Sequence, residues 1–209
     1  GAFVLTAVAT DTEAGSLGGA TTASTTQVFG VQVVPAAAGP IITLPVIANF
    51  GDNFDAENGG VPVLNDTNLV NWNVTQGSVD LIGKGNFDFY PGNGLYIDLA
   101  GTTGQFGQLT SKQSFGPGTY TVTFTLGGTG YAGVTDGVHF TLGGYAEDFT
   151  LNALTTQTIT RTITLTSAGT MSFTDLDHSD NADIGATLLS VAMSQAEVVG
   201  NENTTIALH

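Results

Sequence analysis

Between residues 119 and 126 the chain reads TYTVTFTL, with threonine at every odd position and Tyr120, Val122, Phe124 and Leu126 at every even one. Successive side chains of a strand point to opposite faces, so a period of two gives one apolar and one polar face, whereas a helix needs a period near 3.6. Such a strand is half-buried and requires a second layer to cover its apolar side. Residues 156–166 repeat the pattern. Thr158, Thr160, Thr162, Thr164 and Thr166 line one face, and Ile159, Ile163 and Leu165 line the other. Arg161 interrupts that apolar row and is expected to pair with a carboxylate inside the sandwich. The threonine rows read as β-formers on a solvated sheet.

The same reading predicts strands near 46–54, 68–74, 77–83, 94–100, 105–115, 136–142, 146–151, 169–174 and 185–195, separated by Gly, Asn and Asp turns. No amphipathic helix is evident. The expected fold is therefore all-β, an antiparallel two-sheet jelly-roll sandwich over residues 41–196. Residues 2–10 (AFVLTAVAT) and 27–34 (QVFGVQVV) make an N-terminal β-hairpin that ends in a PAAAGP hinge, which sets off residues 1–40. Residues 197–209 read as a polar linker and the start of a further strand segment. An isolated hairpin is marginal, so its partner is expected on the main body, on a neighbouring copy, or in sequence beyond this chain. The chain opens at Gly1 directly on a strand-like run, as a fragment or processed product would.

Eighteen acidic residues face three basic ones, Lys84, Lys112 and Arg161, for a formal charge of −15. That charge repels phosphate backbones and anionic lipid, which argues against nucleic acid as a partner, and no apolar run is long enough for membrane insertion by a helix. There is no cysteine, hence no disulfide and no thiolate chemistry. Clustered carboxylates suit calcium, which takes six to eight oxygens. The run DLDHSDNADIG holds Asp175, Asp177, Asp180 and Asp183, and GDNFDAEN holds Asp52, Asp55 and Glu57. Neither is an EF-hand, since the sixth position of the first run is Asp180 and the twelfth Ala186. Ordinary solvated turns rich in Asp and Asn account for both runs equally well.

Aromatic faces beside a few polar groups suit sugars. Trp72, in LVNWNV, belongs by register to the core. The FDFYPGNG turn is more exposed by composition, and Asp88, Tyr90, Asn93 and Tyr96 are the candidate ligand-binding residues. The three histidines stand apart, no GxSxG or HExxH motif occurs, and the chain is expected not to be an enzyme.

NWNVTQGSVDLIG (71–83), PGNGLYIDLAG (91–101), GPGTYTVTFTLGG (116–128) and DIGATLLSVAMS (183–194) resemble secreted bacterial jelly-roll domains of the galactose-binding-like kind, often found in PEP-CTERM proteins. That family often carries a paired Asp on its last strand for structural calcium, where this chain has Leu189 and Ser190. FVLTAVATDTE…TTQVFGVQVVP (3–35) and VVGNENTTIAL (198–208) resemble the end and the opening of immunoglobulin-like or cadherin-like repeats in calcium-dependent RTX-type adhesins. The resemblance implies junction calcium at Asp11, Glu13 and Glu202. It also implies an extracellular, secreted or cell-surface adhesion module that contacts a glycan or cell-surface ligand. The alternative expectation is a structural subunit of a filament or matrix, assembled from copies of itself by strand pairing.

Overall fold

A computed structural model describes residues 2–13, 21–32, 48–176 and 185–196, with side chains described for residues 50–176 and 185–196. These residues fall into two units. The first contains a two-stranded antiparallel sheet, β1 (Ala2–Glu13) and β2 (Thr21–Gln32), paired without a break from Ala2↔Gln32 to Glu13↔Thr21.

The second unit is a sandwich. In chain order it holds β3 (Ala48–Asp52), a 3-10 turn at Glu57–Gly60, β4 (Trp72–Gln76), β5 (Asp80–Gly83), β6 (Leu95–Asp98) and β7 (Ala100–Gly101). There follow β8 (Gln105–Phe106), β9 (Gln108–Ser111), β10 (Gly118–Gly127), β11 (Thr135–Leu142), β12 (Tyr145–Asn152), β13 (Thr156–Leu165), β14 (Met171–Asp175) and β15 (Thr187–Gln195). One sheet runs β13-β10-β15-β6-β5, with β3 also on β15, and the other runs β12-β11-β14-β9-β4, antiparallel throughout. One edge of β15 serves two partners. Thr187 and Leu188 pair with β6, and Val191–Ser194 pair with β3.

Alternation decides the core. On β10, Tyr120, Val122, Phe124 and Leu126 are buried, while the intervening threonines stay partly exposed and bond to β13 hydroxyls, Thr119 to Thr164, Thr123 to Thr160 and Thr125 to Thr158. Phe124 lies 4.7 Å from Phe140 of the opposite sheet, centroid to centroid, and 5.2 Å from Phe173. Trp72 is in the core as its register requires. Its ring meets Phe50 edge-on at 5.2 Å, and its indole N–H donates to Asp52 at 3.0 Å, which satisfies the polar atom that burial would otherwise orphan.

β5 and β6 break the alternation, because every residue in both is buried. Leu81, Leu95 and Ile97 face the main core, and Ile82 and Tyr96 face outward into a second small cluster with Tyr90 and Leu189, against which Phe89 packs. The segment 84–94 thus lies over the outer face of this sheet.

Arg161 differs from expectation. It pairs with Glu147, but at the rim of the sandwich rather than inside it, joining edge strand β13 of one sheet to edge strand β12 of the other. Nε and Nη2 each donate to the carboxylate at 2.7 Å, the Tyr145 hydroxyl donates at 2.5 Å, and the guanidinium sits 5.6 Å from the Phe149 ring centroid. A wet rim lets the guanidinium keep part of its hydration, which a sandwich interior would strip. The Arg161 bonds, then the Tyr145 hydroxyl, hold the Glu147 carboxyl down at about 2, below its ordinary 4.5. A depressed folded value stabilises the fold above the ordinary range, and the contribution is lost as pH falls through about 2. The melting-temperature gap between wild type and Arg161→Met is therefore expected to narrow from pH 4.5 downward and close near pH 2. A constant gap over that window would refute the linkage.

Candidate functional site

Segment 84–94 is tied down from below. The Tyr96 hydroxyl accepts the N–H groups of Phe89 at 2.6 Å and Tyr90 at 3.1 Å and donates to Asp88 at 3.2 Å, while the other Asp88 oxygen accepts Gly85 N–H at 3.1 Å. The Asn93 side chain donates to Tyr90 C=O at 3.0 Å. A second tie reaches the turn after β10. The Tyr90 hydroxyl donates to Gly128 C=O at 2.6 Å, and Phe89 lies so close to Gly130 that an added Cβ there would stand 2.2 Å from its ring. Burial pushes the Tyr90 and Tyr96 phenols up to about 12, so both stay neutral donors.

Of the four candidate residues in and beside the FDFYPGNG turn, Tyr90 and Tyr96 are buried, with their rings 5.8 Å apart in the outer cluster and their hydroxyls bonded to the backbone. Asp88 and Asn93 brace the same loop. What the four residues hold up is Phe87, 58% exposed and at φ 46°, a left-handed conformation rare for a non-glycine residue. Across from it stands Tyr131, 51% exposed, with its ring 6.3 Å from Phe89. Residues held in such conformations cluster at functional sites, where the surrounding structure fixes them.

Phe87, Phe89 and Tyr131 wall a cleft of about 220 Å³. Its floor is the outer face of β5 and β6, continued by β7 and the residue after it: Asp80, Ile82, Asp98, Ala100 and Thr102. Asp80 and Asp98 are both buried, opposite each other in the β5–β6 register. Asp80 is saturated. It accepts Asn65 N–H at 2.7 Å, Thr102 N–H at 3.1 Å, and the Thr102 hydroxyl. Among the described residues Asp98 accepts one bond, from Ala100 N–H at 3.0 Å to Oδ1, which leaves Oδ2 to the cleft. Burial first, and then the charges of Asp80, Asp175 and Asp136, hold the Asp98 carboxyl well above the usual carboxylate range.

The candidate metal ligands split. Asp52 accepts Phe54 N–H at 2.8 Å and the Asn71 amide and Trp72 indole at 3.0 Å each. Asp55 accepts Leu95 N–H and the Asn53 amide, also at 3.0 Å each. Glu57 is buried, and both its oxygens take Val70 N–H. These carboxylates fasten β3 and the 3-10 turn to the sandwich through protein donors. Asp175 accepts Ala186 N–H at 2.9 Å. Asp11 and Glu13 lie on β1. Asp177, Asp180, Asp183 and Glu202 lie outside the described residues. Among the described residues no three acidic or histidine side chains converge on one point, and no helix is long and apolar enough to cross a membrane.

Strand pairing and a shared core define an antiparallel β-sandwich with a walled cleft on the outer face of one sheet. No family model matches the chain, and no curated protein matches it. Among solved structures it is similar to the N-terminal CBM22-1-CBM22-2 tandem domain of Xyn10C from Paenibacillus barcinonensis. Identity is 13%, with 86% of this chain and 57% of that one covered, at a TM-score of 0.46. It is also similar to the apo BiXyn10A CBM1 module, at 12% identity, covering 71% of this chain and 99% of that one, with a TM-score of 0.39. A third is the exo-β-1,3-galactanase of Phanerochaete chrysosporium with β-1,3-galactotriose, at 14% identity, 56% and 26% coverage and a TM-score of 0.36. The chain spans little more than half the length of the first.

Proposed function

We propose that this chain is a non-catalytic carbohydrate-binding module of an extracellular surface protein, with the cleft under Phe87 and Tyr131 as its binding site. The observation that carries this reading is the pair of half-exposed aromatic rings flanking a buried carboxyl with a spare oxygen. Ring faces stack on the C–H faces of a pyranose, and one fixed polar group sets its orientation. Glycosidase chemistry calls for two working carboxyls. Here both acids lie on the cleft floor, but Asp80 is tied to Asn65 and Thr102, and Asp98 is the one with an oxygen to spare. A glycan array followed by titration calorimetry tests the proposal: at least one glycan class is expected to bind, in the micromolar to millimolar range. A blank array and flat titrations would sink it.

A structural role in a filament is the second reading, favoured by the twelve-residue strands β1 and β2, which among the described residues pair with one another alone. Electron microscopy showing only isolated particles at high concentration would dismiss it.

Adhesion and calcium belong to the proposal as well. With Asp52, Asp55 and Glu57 engaged by protein donors, any calcium is expected at Asp177, Asp180 and Asp183 or at the junction residues Asp11, Glu13 and Glu202. A ligand that binds only the folded state raises the melting temperature, by roughly 2.7 kcal/mol of stability at a hundredfold excess over its dissociation constant. Millimolar calcium is expected to raise the melting temperature relative to chelator. Superimposable melting curves would remove calcium from the account.

A further inference from the structure

The carbohydrate reading leaves the class of sugar open, and the cleft itself narrows it. At about 220 Å³ the space is smaller than the roughly 300–1,000 Å³ of drug-sized ligand sites and suits one ring rather than a length of chain. Among the described residues its polar side chains are those of Asp80, Asp98, Thr102 and Tyr131, and no basic side chain lines it.

The chain's three cations are committed elsewhere. Lys84 donates to Gly60 C=O at 3.2 Å, Lys112 to Leu69 C=O at 2.6 Å, and Arg161 binds Glu147. A sugar carboxylate or sulfate entering the cleft would meet two buried acids with no counter-charge, inside a protein of net charge −15. A sugar hydroxyl, which both donates and accepts, would instead pair with Oδ2 of Asp98 whether that carboxyl is protonated or ionised, and an ammonium would draw it to the ionised form. No donor among the described residues reaches this oxygen.

Resting on the carbohydrate reading, we infer that the cleft takes a single uncharged or amino-substituted pyranose, oriented by a hydrogen bond to Asp98, and rejects uronic and sulfated sugars. Ile82 and Ala100 beside Asp98 give the apolar floor on which the rest of such a ring lies, and Phe87 and Tyr131 supply the walls.

The test uses the whole 209-residue chain and nine monosaccharides. These are the gluco, galacto and manno forms, each as the neutral sugar, the 2-amino sugar and the uronate, at pH 7, with affinities from NMR titration. In every series that binds, the uronate is expected to be at least about tenfold weaker than the neutral sugar, and the amino sugar as tight or tighter. Asp98→Asn keeps the oxygen that accepts Ala100 N–H and removes the acid, so it is expected to lose the amino-sugar preference. Tyr131→Lys, at a half-exposed wall position, places a cation at the cleft and is expected to raise uronate affinity even if the Asn variant does not fold. A uronate that binds the wild type as well as its neutral partner overturns this inference and leaves the carbohydrate reading standing. So does selectivity that neither variant changes. Failure of all nine sugars to bind overturns both.

Discussion

Phe124→Ala is expected to lower stability by about 3–5 kcal/mol and the melting temperature by roughly 10 °C. Phe124 is fully buried and meets three other rings, Phe140 at 4.7 Å, Phe173 at 5.2 Å and Phe149 at 5.5 Å. All three belong to the opposite sheet, on β11, β14 and edge strand β12, so the substitution opens a cavity where the two layers meet. The neighbouring rings cannot collapse into it, because each is fixed by its own strand pairing. Thr123→Ala is the control. It lies one residue away on the other face, loses only the hydroxyl contact to Thr160, and is expected to cost less than about 1 kcal/mol. Thermal denaturation of both variants decides the point. Equal shifts would mean that β10 does not divide core from solvent as described.

Phe87→Ala with Tyr131→Ala is expected to weaken glycan binding by about 30- to 100-fold while leaving the melting temperature within about 2 °C of wild type. Stacked ring contacts contribute about 0.5–1.5 kcal/mol each beyond the area they bury, and about 1.4 kcal/mol is tenfold in affinity. Both side chains are more than half exposed, so their removal costs the fold little. Relief of the left-handed strain at residue 87 is also unavailable to alanine, which leaves the loop conformation unchanged. Val70→Ala, 67% exposed and not among the cleft residues, is the matched control and is expected to bind as wild type. Calorimetry against the best array ligand measures the effect. Affinity retained in the double variant would place the binding site elsewhere.

The two exposed rings wall the cleft, and Tyr90 and Tyr96 are packed in the cluster that supports the loop carrying Phe87. Composition marks residues 87–94 as a turn with a polar rim, and that loop is indeed where the cleft forms. It does not say which rings point outward. Tyr90 and Tyr96 are amphipathic and suit a ligand on paper, yet each hydroxyl is needed by backbone groups, Tyr96 for Phe89 and Tyr90 N–H and Tyr90 for Gly128 C=O. Phe87 carries no polar atom and remains in solvent. Asp98 is inconspicuous inside LYIDLAG, although an acid in the outward register of a strand otherwise apolar on both faces is the signal that points to it.

Local pattern determined the class of fold. The period-two alternation of TYTVTFTL fixes which face of β10 is buried wherever that strand sits, and the Gly, Asn and Asp turns mark most of the strand limits, so an antiparallel sandwich with Trp72 inside follows from the residues alone. Tertiary structure decided the rest, because a site is made by elements distant in sequence. Segment 84–94 folds back over β5 and β6 and meets the turn after β10, and that crossing alone sets Phe87 opposite Tyr131 above Asp98. The fate of the acids was decided in the same way. Asp52, Asp55 and Glu57 are neighbours in sequence and suggest one ion, but their oxygens are claimed by Asn71, Trp72, Leu95 and Val70, donors that only the packing of β3 and the 3-10 turn against the sandwich brings within reach.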